Sequence, residues 1–305
     1  MFKKIIVAAL FFTLLVSPGS LLKAQNNIVV FQTDFGLKDG AVSAMKGVAM
    51  GVSPNLKLFD LTHEIPAYNI WEAAYRLYQT APYWPAGTVF VSVVDPGVGS
   101  QRKSIVLKTK TGHYFVGPDN GSFTLVAEHM GIEAVRQIDE TKNRLQNSGA
   151  SYTFHGRDVY AFTAARLAAG VIHFGDEVGP ALPDSVVNIK YQQPVFENGI
   201  IKGNIPILDI QYGNIWTNID ATIFSKLNMH YGDMLCVEIL SEGEKIYQGC
   251  MPYVTTFSAV PEGQPLCYMN SLLNLSFALN MDNFSQKENV KSGPGWTVLV
   301  HKQEH

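Results

Sequence analysis

Between residues 28 and 94 the chain alternates short apolar runs with longer amphipathic ones, an order that few folds accept. Residues 28–31, 56–61 and 88–94 are rich in Val, Ile, Leu and Phe and have strand length. Residues 41–50 and 70–81 read as helices, the first built from small side chains. Strand, helix, strand, helix, strand in succession predicts an α/β domain with a largely parallel sheet, because parallel neighbours need a long crossover that a helix supplies. Further strands are expected at 104–109 and 114–117, and a further helix at 159–169. Pro180, Pro183 and Pro194 punctuate a linker, and after Gly199 short β-rich runs (205–210, 234–240, 297–300) alternate with Gly, Asn and Pro turns. The reading is an N-terminal α/β domain over 25–190 and a smaller C-terminal all-β domain over 199–305.

Residues 1–24 stand outside this pattern. Lys3 and Lys4 precede an apolar run, 5–16, interrupted only by Thr13. Ser17, Pro18 and Gly19 break it, and Ala24 offers a small residue for cleavage. The run is shorter than the ~20 residues of a bilayer span, so it reads as a signal peptide. The expectation is an exported chain, periplasmic or secreted, with no membrane attachment after cleavage. Removing Lys3, Lys4 and Lys23 leaves 20 basic and 26 acidic side chains, a formal charge of about −6. That balance, with no basic run, argues against a nucleic-acid partner. The three cysteines, Cys236, Cys250 and Cys267, show no Cys-x-x-Cys or Cys/His metal spacing. They read as buried apolar side chains, with one disulfide plus a free thiol as the alternative.

Five polar clusters carry the candidate chemistry. They are Thr33-Asp34-Phe35-Gly36 with Asp39, Asp95-Pro96-Gly97-Val98-Gly99 with Arg102, Gly117-Pro118-Asp119-Asn120-Gly121, Phe154-His155-Gly156-Arg157-Asp158, and Tyr212-Gly213-Asn214-Ile215-Trp216-Thr217-Asn218. Singly, each has an ordinary structural reading: Asp-Pro-Gly and Pro-Asp-Asn-Gly are turn formers, and Asp158 suits a helix cap. His63 reads as structural, and His113, in a Thr-Gly-His turn, as solvated. Together they form a different picture. Asp34 and Asp95 follow the first and third strands, and ligands of open α/β sheets sit at the carboxyl ends of strands.

These motifs, with Lys46-Gly47, Leu61-Thr62-His63 and Asn270-Ser271, resemble the family of S-adenosyl-L-methionine (SAM) hydroxide adenosyltransferases, relatives of the SAM-dependent fluorinase and chlorinase. The resemblance runs from about Ile28 to Val300. It implies an α/β N-terminal domain, a barrel-like C-terminal domain and a homotrimer, with SAM held between the N-terminal domain of one subunit and the C-terminal domain of the next. It implies Asp34 at the ribose hydroxyls, Tyr68 against the ligand, Tyr212 and Asn214 around the adenine, and Asp209 and Ser271, joined by Asp39, at the methionine end. The hydrolytic branch of the family has an Asp, Arg, His set, which falls on Asp95, Arg102 and His155. The halogenating branch has Tyr-Pro in place of Asp95-Pro96 and lacks this His. Around Leu272, Leu273 and Leu279 the chain is more apolar than the halogenating relatives, which place arginines at two of those points.

The implied reaction is hydrolysis of SAM to adenosine and methionine, with no cofactor and no metal. A sulfonium leaves as a neutral thioether, so no general acid is needed. An oxygen nucleophile in line with the C5′–S bond is what the site must hold. Asp95 would accept the proton of water, Arg102 would orient Asp95, and His155 would supply a second hydrogen bond to the water. Two rivals are a calcium-dependent nucleoside hydrolase, loosely suggested by the acidic loop 33–39, and an exported SAM- or nucleoside-binding protein without turnover. Gln32 and Lys38 stand where a calcium loop would favour carboxylates. The conjunction of Asp95, Arg102 and His155 exceeds what binding alone requires.

Overall fold

A computed structural model describes residues 26–304 of the protein; the segment read as a signal peptide lies outside them. The alternation between 28 and 94 becomes β1 (Ile28–Thr33), α1 (Ala41–Val52), β2 (Lys57–Thr62), α2 (Ile70–Thr80) and β3 (Val89–Val93). β4 (Ser104–Thr109), β5 (Tyr114–Pro118), α3 (Thr124–Met130) and β6 (Ile132–Gln137) follow. A π-helical turn (Gly156–Ala161) leads into α4 (Phe162–Ala168), and β7 (Ala181–Leu182) closes the sheet. The strand order is β2-β1-β3-β5-β4-β6-β7. Pairings are parallel from β2 to β5 and antiparallel from β5 through β7.

Period-two alternation divides the sheet's two faces. Val29, Phe31, Val89, Val91 and Val93 pack with Met45 and Ala49 of α1 and with Ala164, Ala165 and Ala168 of α4. Val30, Phe90, Ile105, Leu107 and Phe115 pack with Leu77 of α2 and Val126 and Met130 of α3. Central strands buried on both faces read as continuous apolar runs, which is why β1 and β3 stood out in the sequence. Gly117 is a packing requirement: a Cβ there would stand 2.4 Å from the carbonyl oxygen of Ser92.

The first crossover places β2 on one side of β1 and the next places β3 on the other. The crevice beyond the carboxyl ends of β1 and β3 is therefore the topological switch point, the usual ligand position of open α/β sheets.

The remainder is antiparallel. β8 (Val195–Glu197), β9 (Ile200–Asn204), β10 (Ile207–Asp209), β11 (Asn214–Asp220), β12 (Met234–Ser241), β13 (Glu244–Pro252), β14 (Pro265–Met269), β15 (Asn274–Leu279) and β16 (Trp296–Lys302) form two sheets, β10-β11-β15-β14 and β13-β12-β16-β9-β8. Both contribute to one core that includes Ile201, Ile215, Leu235, Val237, Phe277 and Val298. Among the described residues no helix is long and apolar enough to cross a membrane.

Four side chains depart from expectation. Cys236 and Cys250 form a disulfide, and only Cys267 is a free, buried thiol; the first two lie directly opposite in the β12–β13 register. His113 is buried rather than solvated, because Nε2 donates to the Trp84 carbonyl at 2.8 Å and Nδ1 meets Thr111 Oγ1 at 2.9 Å. Asp158 does not cap a helix; it is fully buried within the π-helical turn and accepts from Arg157 Nε at 2.7 Å.

The disulfide closes a short loop. Replacing Cys236 and Cys250 by Ser together is expected to lower unfolding stability by about 2–4 kcal/mol. Chemical denaturation with and without reductant checks this. Equal midpoints for oxidised, reduced and doubly substituted protein would show that the pairing adds nothing.

Candidate active site

β1 and β3 run parallel with Thr33 opposite Val93, so their last residues deliver Asp34 and Asp95 into the same crevice. The loop bearing Asp34 is pinned from below by a relay. Lys46 Nζ donates to Asp60 Oδ2 at 2.6 Å, and Asp60 Oδ1 faces His63 Nε2 at 2.9 Å. A carboxylate accepts only, so Nε2 carries the proton, and in the neutral ring Nδ1 accepts from the Thr33 hydroxyl at 2.9 Å. Thr33 Oγ1 in turn accepts from the Phe35 N–H at 3.2 Å, and the Gly36 N–H donates to the His63 carbonyl at 2.7 Å. His63 thus plays the structural part expected of it. Burial opposes the Asp60 charge, but Lys46 and His63 outweigh it and hold that carboxyl below the usual range.

Asp34 Oδ2 accepts from the Tyr68 N–H at 2.9 Å. Tyr68 adopts φ 69°, a left-handed conformation that is strained for a bulky residue, and the residue is 73% exposed. Such a backbone persists only where its surroundings hold it, and the Asp34 carboxylate is one of the groups that do.

Arg102 returns from the β3–β4 connection to grip Asp95 side-on. Nε donates to Oδ1 at 2.8 Å and Nη2 donates to Oδ2, while Nη1 reaches Ser104 Oγ at 3.0 Å. Both side chains are largely withdrawn from solvent, Arg102 at 11% and Asp95 at 6% exposure. Burial disfavours the guanidinium charge, and Asp95 more than restores it, so its pKa lies above the ordinary value. Tyr160 lies against the Arg102 guanidinium, and burial drives its phenol pKa upward. Each oxygen of Asp95 keeps a lone pair that Arg102 does not use.

His155 precedes the π-helical turn and is buried. Its pKa falls below the ordinary imidazole value: burial is the main cause, Arg102 and Arg144 add to it, and Glu140 and Asp95 oppose it. Gly156 beside it packs closely: a Cβ would come within 3.2 Å of the Val93 side chain and 3.4 Å of the Phe35 ring, so either would have to shift to admit one.

Two cavities gather most of the residues singled out in the sequence. The first, about 240 Å³, is lined by Asp34, Tyr68, Asp95 and His155 with Phe35, Val93 and Phe154 among its apolar walls; Arg102 stands behind Asp95. The second, about 1000 Å³, lies on the C-terminal sheets and takes in Asp209, Tyr212, Asn214 and Ser271. There Asn214 Nδ2 donates to Asp209 Oδ2 at 3.1 Å across the β10–β11 turn, which Gly213 permits at φ 70°. The two cavities share no lining residue. Asp39 lines neither; it is exposed and accepts from the Ala41 N–H at the start of α1. Leu279 lies in the larger cavity, while Leu272 and Leu273 do not.

Sequence reasoning missed Glu140 and Arg144, which stand next to His155. Arg144 Nη2 donates to Glu140 Oε2 at 2.5 Å and lies 3.3 Å from His155 Nε2. Their opposite charges four residues apart were visible, but nothing local ties residues 140–144 to the crevice. Among the described residues no group of three or more His, Cys, Asp or Glu is placed to hold a metal ion.

Models of two known domains match this chain: the SAM hydroxide adenosyltransferase N-terminal domain over residues 29–176 and C-terminal domain over residues 203–297. The chain is 37% identical over 270 residues to an (R)-S-adenosyl-L-methionine hydrolase of Methanocaldococcus jannaschii, covering 87% of this chain and 92% of that one. It is 28% identical over 303 residues to a fluorinase of an Actinoplanes species, covering 91% and 98%. Among solved structures, an uncharacterized conserved protein from Thermotoga maritima superposes with a TM-score of 0.81 at 35% identity, covering 90% of this chain and 99% of that one. The protein is therefore an enzyme of the SAM hydroxide adenosyltransferase family.

Proposed function

We propose that this enzyme hydrolyses SAM to adenosine and L-methionine, with a water molecule held between Asp95 and His155 attacking C5′. The observation that carries this reading is the side-on Asp95–Arg102 pair facing the cavity shared by Asp34 and His155. The water oxygen donates an electron pair to C5′ as the C5′–S bond breaks. The bonding pair goes to sulfur, giving a neutral thioether, and the water proton passes to Asp95 and then to solvent. The reaction calls on no cofactor. Much of the acceleration lies in fixing the oxygen in line with the departing sulfur. Arg102 prevents Asp95 from turning away, and Asp34 grips the ribose so that C5′, rather than the S-methyl carbon, is presented.

A fluorinase appears among the relatives, so the choice of nucleophile is the decisive test. A carboxylate about 4 Å from a halide repels it by ~4 kcal/mol at an effective dielectric near 20, less where water screens the pair. That disfavours chloride by up to about three orders of magnitude. Arg102 offsets part of this, but it stands behind Asp95, so the nearer carboxylate dominates at the cavity and the ~4 kcal/mol is an upper bound. Incubation with SAM at molar chloride, read by chromatography and mass spectrometry, is expected to yield adenosine and methionine. Intact SAM would sink the hydrolase reading. 5′-Chloro-5′-deoxyadenosine rivalling adenosine would remove Asp95 as the water-directing residue. Separate incubations with the (R) and (S) sulfonium epimers extend the assay to the distinction in the M. jannaschii enzyme's name.

We propose further that the site is shared between subunits of a homotrimer. The 240 Å³ cavity falls below the ~300–1000 Å³ of typical small-molecule sites. The larger cavity carries Asp209, Tyr212, Asn214 and Ser271, suited to adenine and methionine, but holds none of the residues assigned to the chemistry. Tyr68 near the first and Tyr212 and Met281 at the second are 73%, 67% and 83% exposed, the surfaces a neighbouring copy would cover. Asp34→Ala is expected to weaken SAM binding about ten- to a hundredfold, the worth of a charge-assisted hydrogen bond. Calorimetry reads that affinity. Mixing and reassembling Asp34→Ala with Asp209→Ala protein should recover part of the lost activity. No recovery would place both half-sites in one chain.

We also propose export. The Lys3–Lys4 pair and the apolar run after it support this reading, as does the Cys236–Cys250 disulfide, which persists in oxidising compartments. Fractionation of the native host with N-terminal sequencing is expected to find a shortened chain outside the cytosol. An intact Met1 in the cytosolic fraction would refute it.

A further inference from the structure

Resting on the hydrolase reading, we propose that Arg144, oriented by Glu140, is a positioning residue that fixes His155 in its Nδ1–H tautomer. His155 is then a hydrogen-bond donor to the attacking water, and Asp95 alone receives the water's proton.

The argument starts from what a guanidinium can do. It carries five N–H donors and no acceptor. Arg144 Nη2 lies 3.3 Å from His155 Nε2, within hydrogen-bonding distance. Were Nε2 protonated, two N–H groups would oppose each other there; with Nε2 bare, Arg144 donates to it. Among the described residues, Glu140 is the carboxylate within 4 Å of Nε2 that could draw a proton onto it. Its Oε1 lies 3.7 Å away, beyond a hydrogen bond, and its Oε2 already accepts from Arg144 Nη2 at 2.5 Å. Tyr152 steadies the arrangement from the other side, with its ring 4.7 Å from the Arg144 guanidinium carbon. The imidazole proton therefore belongs on Nδ1.

Nδ1 is the ring's remaining polar atom, and it is buried without any protein partner. A buried N–H in that condition is costly unless an acceptor is supplied. His155 lines the cavity with Asp95, and a water there satisfies both groups: it accepts from His155 Nδ1–H and donates to Asp95. The orientation also leaves a water lone pair for C5′. The charged and titratable groups around His155 are Glu140 and Arg144 from the 139–145 turn, Arg102 and Asp95 from the β3–β4 connection, and the Tyr152 and Tyr160 rings. Together with burial they favour the neutral ring that this role needs.

The test reads the tautomer directly. Long-range proton–nitrogen correlation spectra of uniformly ¹⁵N-labelled full-length enzyme, with His155 assigned by loss of its signals in His155→Gln, should show Nδ1 protonated and Nε2 bare. Arg144→Met should move His155 toward the Nε2–H form and lower kcat about tenfold, the size of one hydrogen bond, with KM for SAM nearly unchanged. Arg144→Lys, another pure donor, should restore the wild-type tautomer. The pH profile adds a signature with opposite signs. Removing the Arg144 charge makes His155 easier to protonate, so the acid limb of kcat/KM moves to higher pH. Glu140→Gln removes a charge that favours protonation and moves it to lower pH. A purely structural role would shift neither limb in this paired way. An Nε2–H signature in the wild-type enzyme, or an unchanged tautomer in Arg144→Met, would overturn the proposal. The spectra need no turnover, so failure of SAM hydrolysis would show separately in the product assay.

Discussion

A carboxylate withdrawn from water at the end of a buried strand must be matched by a cation, and the Asp95–Arg102 pair answers that demand in a particular geometry. A planar fork meets a planar carboxylate edge to edge, so the contact sets an orientation as well as a charge balance. Asp95 can neither rotate nor drift, and the free edge of its carboxylate faces whatever occupies the cavity. Ser104 and Tyr160 close the arrangement behind the arginine. Removing one partner would leave the other charged and buried, which is far more disruptive than losing an exposed ion pair.

The strand order makes the pair useful. Because β1 and β3 are neighbours whose connections diverge, their carboxyl ends open a crevice that neither crossover covers. Asp34 enters from one strand and Asp95 from the next, and His155, just before the π-helical turn that starts at Gly156, meets them from across the crevice. The Lys46–Asp60–His63–Thr33 relay gives the first of these loops the rigidity that Arg102 gives the second. Each carboxylate in the crevice thus rests on a polar network drawn from a different part of the sheet.

How much of this was legible in the sequence varied with the range of the interactions. The strands and helices between 28 and 94 were legible because fully buried strands and two-residue alternation leave a local trace. α3 and β6 were missed: residues 124–137 mix apolar, charged and glycine positions, and partners distant in sequence decide their form. The motifs at 33–36, 95–99 and 154–158 pointed to Asp34, Asp95 and His155, which share one cavity. Asp39 lay in the same acidic loop but turns to the backbone of α1 instead. Cys236 and Cys250 paired because antiparallel register sets them opposite, a fact that fourteen residues of separation do not reveal. Glu140 and Arg144 were invisible for the same reason: their meaning depends on where the chain returns eleven and more residues later.

The bond from the Tyr68 backbone to Asp34 has a consequence for discrimination. On the proposed reading, the ribose is met by a carboxylate whose rotational freedom folding has already removed. A swivelling acid could follow a misplaced hydroxyl or turn toward solvent when one is missing; a tethered one cannot. A nucleoside lacking the 2′- or 3′-oxygen would leave a carboxylate oxygen facing a gap it cannot close. Sites built to hydrogen-bond a hydroxyl reject ligands without it far more strongly than apolar pockets reject a lost methylene. On that proposed reading, the left-handed twist at Tyr68 would work as a sugar selector, separating ribonucleosides from their deoxy counterparts through an amide of the main chain that need not touch the sugar.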